Sequence, residues 1–485
     1  MGTSGETLRN ATAPGRTLII VCSALFFNVL NGTMLNVVLP VVGREFNVEP
    51  ARLGWVVTGY LLVFGVSVPF YGRLADVYGA RRLFVSGLCL YALSSLACAL
   101  SLNYGMLLAG RLAQALGAAA IPGLGMALIG DAYPAERRGT ALGYVSATIG
   151  TGSAIGPIAG GTITGLLNWH MMFLLSALSG LLVPFALRVL PSGERKSGEG
   201  MDLLGGILLG LSVGGALLTA TEAARGDVGA PQVLVAAAMS IVSFVALVFR
   251  QRAADAPFVP RDLLHNRRYL ALLGTSFSAM TANVATFVAL PLLLNNVYNL
   301  SIVHVGLVLL PNALAVAVLG PLVGRLVDRI GGRMPVRIGL LVILAGQVAF
   351  ASVGVGASVW AISLLAGVQG IGFALLNSPL TTMVSLAVGR ERQASGLSIN
   401  SMAFFLGGGF GTAILTAILT VRARATDALN PLHSGPAPQY SDAFLLFLIP
   451  LLIALGLSTA LPGKESAQDT APTLSTKPAG AVSHR

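Results

Sequence analysis

The chain has 485 residues, of which 55% are hydrophobic and only 10% charged, and its mean hydropathy is +0.80. A water-soluble protein of this length could not cover its surface with so few charged side chains, so the composition excludes an ordinary soluble enzyme or binding domain. It indicates instead a chain that crosses a membrane many times. The net charge of +11 raises the possibility of a nucleic-acid partner. The positions of the basic residues along the chain test this possibility.

Apolar segments of about 20 residues, the length that spans a bilayer, recur along the whole chain. They predict an all-α polytopic membrane protein with fourteen transmembrane helices, numbered here 1 to 14. The predicted spans are 17–40, 54–74, 83–102, 105–129, 140–165, 171–190, 203–222, 232–250, 269–293, 304–324, 335–355, 358–386, 395–421 and 442–462.

With the N-terminus in the cytoplasm, 24 of the 30 Lys and Arg residues fall on the cytoplasmic side, five fall outside, and Arg111 lies within helix 4. Basic loops stay preferentially in the cytoplasm, so this bias predicts that both termini are cytoplasmic. The net charge then reflects topology and attraction to the lipid bilayer, and no nucleic-acid partner is expected. The 27 Arg against 3 Lys, with abundant Ala and Gly, are typical of a bacterium with a GC-rich genome.

Helix 1 contains FFNVLNGTMLNVVLP, residues 26–40, with three asparagines and no charge. Asn28, Asn31 and Asn36 are spaced by three and five residues, so they share only part of a helix face. Two interpretations are open: the amides hydrogen-bond to neighbouring helices, or they line a substrate pathway.

The segment after helix 2 reads GRLADVYGARR, residues 72–82, and its first eight residues recur as GRLVDRIG, residues 324–331, at an offset of 252. A second match pairs LLAG at 107–110 with LLAG at 364–367, at an offset of 257. Two matches in the same order predict two homologous six-helix bundles, helices 1–6 and 9–14, with helices 7 and 8 as an inserted pair. Parallel halves with a site between them are a transporter architecture.

The predicted domains follow from this repeat and from the polar connections. They are a cytoplasmic N-tail 1–16, an N-terminal bundle 17–190, a linker and inserted pair 191–250, a cytoplasmic loop 251–268, a C-terminal bundle 269–462 and a disordered C-tail 463–485.

The GRLADVYGARR segment resembles the signature loop of the major facilitator superfamily. In physical terms its glycines permit a tight turn, and Asp76 can accept hydrogen bonds from amides at a helix start or pair with a cation. The resemblance implies that this loop and its repeat latch the two halves and gate their motion. The residues concerned are Gly72, Asp76, Gly79, Arg81, Arg82, Gly324, Asp328 and Gly331.

Helix 4 carries RLAQALG, residues 111–117, which resembles a second motif of the family with Ala115 in place of one glycine. A buried arginine is costly in a membrane and normally faces a cavity or a partner. The resemblance implies that Arg111, with Gln114 beside it, serves substrate contact or proton transfer. The alternative is that Arg111 lies near the outer end of helix 4 and extends its charge to the membrane surface.

Helix 5 carries GTGSAIGPIAGG, in which glycines four residues apart form a flat face and Pro157 bends the helix. The string resembles the motif that marks exporters and antiporters within the superfamily, so we expect export. Its residues are Gly152, Gly156, Pro157, Gly160 and Gly161. Together with fourteen helices and the helix 1 pattern, it resembles the 14-helix drug:proton antiporters, in particular the tetracycline-resistance-like exporters.

None of the 19 Asp and Glu residues lies near the bilayer midplane by the predicted spans. This departs from the family, whose relatives often place an acid where Asn31 or Gly32 stands here, or near Gly407–Gly409. Without an embedded carboxylate a cationic substrate lacks a counter-charge, so we expect a neutral, zwitterionic or anionic substrate. Asn31→Asp should then increase the transport of cations if Asn31 faces the cavity. The remaining candidates for proton coupling are Asp76, Glu222 and His304.

We therefore predict a monomeric exporter of an antibiotic or similar amphipathic small molecule in the bacterial plasma membrane, driven by proton antiport and conferring resistance. A proton-independent metabolite facilitator and a transport-fold sensor are the alternatives. Neither a cofactor nor a metal is expected, since Cys22, Cys89 and Cys98 lie in predicted helices at spacings that match no metal site. The loops contain no metal cluster, nucleophile elbow or phosphate loop, which argues against an enzyme.

Overall fold

The computed structural model describes residues 14–48, 53–191, 202–224, 229–388, 392–431, 433 and 435–461. Within these ranges the chain forms fourteen long helices, one for each predicted span, so the all-α polytopic class is confirmed. They are α1 Pro14–Glu45, α2 Trp55–Tyr78, α3 Ala80–Ala99, α4 Tyr104–Ala132, α5 Ala135–Leu166, α6 His170–Val189, α7 Leu203–Ala223, α8 Pro231–Ala253, α9 Arg267–Asn296, α10 Ile302–Ile330, α11 Arg333–Gly354, α12 Val359–Ala387, α13 Gln393–Val421 and α14 Pro438–Ala460.

Thirteen helices in the described ranges are long and apolar enough to cross a membrane by length and composition. The other is α5, which has 32 residues but is rich in glycine, serine and threonine. Its small residues serve close packing against two neighbouring helices, described below, at the expense of hydropathy.

The structure corrects the prediction of a loop at residues 72–82. Helix α2 continues to Tyr78 and α3 begins at Ala80, so Gly79 alone makes the turn, at φ 91°. In its repeat α10 continues to Ile330, Gly331 turns at φ 83°, and α11 begins after Gly332 at Arg333. A positive φ suits glycine, which has no Cβ. The motif is therefore a helix end followed by a turn of one or two residues.

The same helix pairs pack in both halves. In the first half α1 packs on α5 and α3 on α4, and in the second half α9 packs on α13 and α11 on α12. The two halves meet along two seams, α5 against α10 and α2 against α13. Helix α7 packs on α2 and on α13, and α8 packs on α7.

The connection 251–268, predicted as a loop, contains a short helix, Arg261–His265. The Arg261 guanidinium donates hydrogen bonds to the carbonyl oxygens of Gln251, Arg252 and Ala254, which close the end of α8. The predicted C-tail, residues 192–201 of the predicted linker, and residues 1–13 of the predicted N-tail lie outside the described residues.

Candidate functional site

Arg111 lies in the interior of the first half. Its guanidinium donates a hydrogen bond of 2.8 Å to Asn31 Oδ1 on α1 and another to Gln114 Oε1 one turn along α4. The Nε–H points to the carbonyl oxygen of Val56 on α2, at 3.5 Å. Only 2% of the side chain is exposed, so the alternative that Arg111 extends to the membrane surface does not fit the structure.

A polar cluster surrounds this arginine and joins four helices of the half. Gln114 Nε2 donates to Ser95 Oγ on α3 at 2.6 Å, and Asn31 Nδ2 donates to Ser176 Oγ on α6 at 2.8 Å. All five side chains are buried. We call this set, Asn31, Ser95, Arg111, Gln114 and Ser176, the arginine cluster.

Aromatic rings cover the cation of the arginine cluster. The Arg111 Cζ atom lies 4.1 Å from the centre of the Tyr60 ring and 5.9 Å from that of Phe173. Within the part of the chain that the structure describes, its hydrogen-bond acceptors are two side-chain amides and one backbone carbonyl, and no carboxylate is among them. A buried cation with neutral partners favours an anion that approaches it.

Two of the three asparagines of α1 fit the first of the two interpretations given above. Asn31 belongs to the arginine cluster, and Asn28 Nδ2 donates to the carbonyl oxygen of Ala118 on α4 at 3.3 Å. Both therefore hydrogen-bond to neighbouring helices. Asn36 lies on α1, but its side chain is outside what the structure describes. Gly32, next to Asn31, has open space where a Cβ would stand.

An open groove runs between α1 and α5 and begins one helical turn from Asn31, at Phe27. Its volume is about 460 Å³, which is within the usual range of ~300–1,000 Å³ for small-molecule sites. Aromatic rings and hydroxyl groups predominate in its lining, which consists of Cys22, Ser23, Phe26, Phe27, Tyr144, Ala147, Thr148 and Thr151.

The second half has a neutral polar cluster at corresponding helices. Gln347 Oε1 on α11 accepts from Thr286 on α9 at 2.8 Å and from Gln369 on α12 at 3.1 Å. Gln347 Nε2 donates to the Phe444 carbonyl oxygen on α14 at 3.2 Å. Gln347 stands 252 residues after Ser95, the same offset as the repeated motif. The halves thus share the position of their clusters but differ in charge.

Asp76, at the end of α2, reaches the other half of the molecule. Its carboxylate accepts hydrogen bonds from the backbone N–H of Ser395, at 3.4 Å, and from the Ser395 hydroxyl. Ser395 is the third residue of α13, so the acid binds at a helix start, which is one of the two roles that the sequence leaves open. Gly72, one turn earlier, lies so close to Ser398 that a Cβ would come within 2.5 Å of it.

Asp328, the repeat of Asp76, makes the reciprocal contact. It accepts from the N–H groups of Gly139 and Thr140, at 2.8 and 2.9 Å, and from the Thr140 hydroxyl, at 2.6 Å, near the start of α5. We call the Asp76–Ser395 and Asp328–Thr140 contacts the two latches, and the end of the molecule that carries them the latch end.

Further contacts close the latch end. Asn377 on α12 donates to Ser146 on α5 at 3.0 Å. Along the α5–α10 seam, a Cβ on Gly139 would come within 2.6 Å of the Gly324 carbonyl oxygen, so the two backbones touch. Arg81 is half-buried and Arg82 exposed at the start of α3. Of the predicted gating residues, the structure brings Gly72, Asp76, Gly324 and Asp328 to the seams, while Gly79 and Gly331 form the turns.

The glycines of the helix 5 motif pack α5 against α1. Cβ atoms on Gly152, Gly156 and Gly160 would meet Val29, Thr33 and Met34 in turn. Pro157 lies inside α5, and Gly161 is exposed.

The remaining candidates for proton coupling lie apart from both clusters. Glu222 is buried in the last turn of α7. His304 is exposed near the start of α10, and its Nδ1 lies 2.7 Å from the Ser301 hydroxyl of the same helix end. The absence of an acid near Gly407–Gly409 has a packing explanation, since Cβ atoms there would meet Phe277, Val284 and Leu217 of neighbouring helices.

Several residues of these sites were not predicted from the sequence. Tyr60, Ser95, Ser176 and Ser395 gave no motif, since single hydroxyl groups are common in membrane helices. Gln347 and Gln369 could have been found, because amides are rare in apolar spans and Gln347 falls at the repeat offset from helix 3.

Two helical halves of like packing, latched at one end and each holding a buried polar cluster, are the architecture of a secondary transporter. Residues 21–412 match the sequence profile of the Major Facilitator Superfamily, and the chain belongs to that family. It is a multi-pass membrane protein, and the resemblance found in the sequence is confirmed.

The relatives are transporters. The chain is 30% identical over 412 residues to the Uncharacterized transporter YebQ of Escherichia coli (strain K12), covering 83% of this chain and 88% of that protein. It is 31% identical to the Multidrug resistance protein Stp of Mycobacterium tuberculosis (strain CDC 1551 / Oshkosh), over 84% of this chain and 76% of Stp. It is 26% identical to the Riboflavin transporter RibZ of Clostridioides difficile (strain 630), over 83% and 88%.

Among solved structures, the human organic anion transporter MFSD10 (TETRAN) superposes with a TM-score of 0.67 at 17% identity. The match covers 91% of this chain and 99% of that one, and it shows the shared fold.

Proposed function

We propose that this chain exports an antibiotic or similar amphipathic small molecule from a bacterial cell in exchange for protons, and that its substrate is neutral, zwitterionic or anionic. The observation that carries the proposal is the arginine cluster, where a buried guanidinium has amide and ring partners within the described residues. A site of fixed positive charge attracts a carboxylate or phenolate and repels a permanent cation.

The groove between α1 and α5 supports an amphipathic ligand. Its aromatic side chains, such as Phe26 and Tyr144, suit a ring system, and its threonines offer hydrogen bonds. The groove begins at Phe27, one helical turn before Asn31 on α1, and the substrate that we propose would direct its acidic group towards the arginine cluster. A ligand of this kind has a flat apolar body and one acidic end.

Export is supported by the helix 5 motif and by the relatives. The resemblance of GTGSAIGPIAGG to the antiporter motif indicates direction, and one relative carries the name Multidrug resistance protein. Another is named a riboflavin transporter, so relatives of comparable similarity differ in their named substrates.

Alternating access supplies the mechanism. The two halves rock about the substrate, and the latches hold one of the two states. Asp76 is our candidate for proton coupling at the latch end, since a protonated carboxyl group is a weaker acceptor for the Ser395 amide and hydroxyl. Proton uptake there would release one of the two latches, lower the free energy of opening and so link proton movement to the conformational change.

The test uses everted membrane vesicles that contain the protein and three probes: fluorescein as an anion, tetracycline as a zwitterion and ethidium as a permanent cation. We expect uptake of the first two to exceed that of ethidium and to fall when nigericin collapses the pH gradient. Arg111→Gln should lower fluorescein uptake by about tenfold or more, which corresponds to ~1.4 kcal/mol. Arg188→Gln, which alters an exposed arginine in α6, is the matched control and should leave uptake unchanged.

Other outcomes contradict the proposal in separate ways. Uptake that survives collapse of the pH gradient would indicate a proton-independent facilitator. Binding of a probe without uptake under any gradient would indicate a sensor. A preference for ethidium that persists in Arg111→Gln would refute the role of the arginine.

A further inference from the structure

The inserted helices α7 and α8 lie across one of the two seams between the halves. The seam between α5 and α10 is closed by direct glycine contacts, whereas α7 lies alongside the seam between α2 and α13. Helix α8 packs on α7. Arg250, in the last turn of α8, forms an ion pair of 3.0 Å with Asp202 at the start of α7. The two helices are therefore joined to each other as a pair.

The first part of α7 is fitted closely to α2, in the first half of the molecule. A Cβ on Gly206 would meet Phe70, and Cβ atoms on Gly210 and Gly214 would both meet Val66. Helix α7 thus presents a glycine face to α2 along two turns. Phe258, from the connection after α8, packs against Phe70 with ring centres 5.0 Å apart. Close contacts of this kind along a helix hold the register of α7 against α2.

The last part of α7 contacts α13, in the second half. Leu217 packs on Gly409, where a Cβ would lie 2.6 Å from the Leu217 Cδ1 atom. Near the helix ends, the Thr420 hydroxyl donates to the Ala224 carbonyl oxygen at 3.4 Å. This hydrogen bond is long, and α7 packs less extensively on α13 than on α2, so the contact with α13 is the weaker of the two.

Because α7 touches both halves, it cannot stay fixed to both while they rock. We propose that the α7–α8 pair is a strap attached to the first half through α2, and that it is seated on α13 in the observed register only while the latch end is closed. The strap would then stabilise the latched state from the side. This proposal rests on the alternating access proposed above.

Cysteine cross-linking in the full chain tests the strap, in a background where Cys22, Cys89 and Cys98 are replaced by alanine. A Cβ on Gly210 lies 3.8 Å from the Val66 Cβ, the usual separation of about 3.8 Å in a disulfide, so Val66→Cys with Gly210→Cys reports the attachment to the first half. Leu217→Cys with Gly409→Cys reports the contact with the second half. Each pair is oxidised in lipid nanodiscs, with intact latches and with Asp76→Asn and Asp328→Asn together.

We expect the Val66/Gly210 pair to cross-link at the same rate with and without the latches, and the Leu217/Gly409 pair to cross-link several-fold more slowly without them. An unchanged rate for the second pair would overturn the proposal. So would slowing of the first pair, which would show that the strap is not attached to α2.

Spin-label distances give a second measurement that does not disturb packing, should a cysteine at a glycine prevent folding. Val242 on α8, Leu93 on α3 and Leu364 on α12 are 66%, 67% and 71% exposed, respectively. Loss of the latches should shift the Val242–Leu364 distance and leave the Val242–Leu93 distance unchanged. A constant Val242–Leu364 distance or a changed Val242–Leu93 distance would refute the strap. Neither readout needs a transported compound, so failure of the export assay and failure of this proposal are separate outcomes.

Discussion

Asn31 Oδ1 accepts a hydrogen bond of 2.8 Å from Arg111, across two helices of the first half. The Asn31 amide nitrogen is bound as well, to Ser176, so both ends of this side chain are occupied and 1% of it is exposed. The expectation that Asn31→Asp creates a cation site depends on a side chain that faces the cavity. That condition is not met, because an aspartate here would face Arg111.

We predict that Asn31→Asp lowers the export of anionic probes by about tenfold or more and gives no gain for cations. The new carboxylate would form an ion pair with Arg111 and remove its charge from the reach of a substrate. Uptake of fluorescein and ethidium into everted vesicles measures both effects.

Gly32→Asp is the matched variant, since space is open at the Gly32 Cβ position. We expect it to increase ethidium uptake. A gain of ethidium uptake in Asn31→Asp, with none in Gly32→Asp, would contradict the assignment of the two positions.

Asp328→Asn should weaken the latch to α5. The carboxylate accepts three hydrogen bonds from Gly139 and Thr140, and bonds to charged groups contribute about 1.5–3 kcal/mol. We expect faster hydrogen exchange at the start of α5, measured by mass spectrometry in nanodiscs. Asp262→Asn, at an exposed position of the short helix, is the control and should leave exchange in α5 as it was.

Asp76→Asn should have a smaller effect than Asp328→Asn, because the hydrogen bonds described for Asp76 go to Ser395 and the amide contact is long at 3.4 Å. Exchange at the start of α13 reports it. An effect larger than that of Asp328→Asn would contradict this prediction and show that the Asp76 latch is the stronger one.

Gly143→Ala should destabilise the latched protein by about 1–3 kcal/mol, since the added methyl group would press on the backbone of Gly320 and Pro321 in α10. Thermal unfolding in detergent measures the loss. Gly165→Ala, in the same helix but with nothing within 4 Å of the new Cβ, should be neutral or slightly stabilising. Equal stabilities for the two variants would argue against the tight α5–α10 seam.

His304→Gln should leave the pH dependence of export unchanged. The imidazole is exposed and contacts Ser301 of its own helix end, far along α10 from Asp328. Uptake measured between pH 6 and pH 8 checks this, with the parent protein as reference. A shift of the profile would restore His304 as a coupling residue.

The positions of the helices could be predicted from the sequence, because the length and hydropathy of each apolar segment indicate a membrane span. The sequence also indicated Arg111 and Asn31, since a polar or charged group in an apolar helix is costly and needs a reason. Asp76 was indicated by the repeated motif. What it could not give was the partner of each group. The partner of Asp76 is Ser395, 319 residues away, and that pairing depends on how the halves pack.

The misplaced loop has a similar cause. Arg73, Asp76 and Arg325 lower hydropathy, so a hydropathy window ends the helix too early, whereas backbone hydrogen bonding continues to the glycine that turns the chain. The role of the glycines near 407–409 also needed the structure, because a glycine that admits a neighbour and a glycine that merely replaces an acid look the same in one sequence.

The two latches are reciprocal: α2 of the first half caps α13 of the second, and α10 of the second half caps α5 of the first. Both contacts join the same pair of rigid bodies, so release of one leaves the other to hold the gap shut. We therefore expect opening to be a single cooperative step in which partly open forms are sparsely populated. Such a carrier behaves as a two-position switch, which limits leakage of ions through a half-open path.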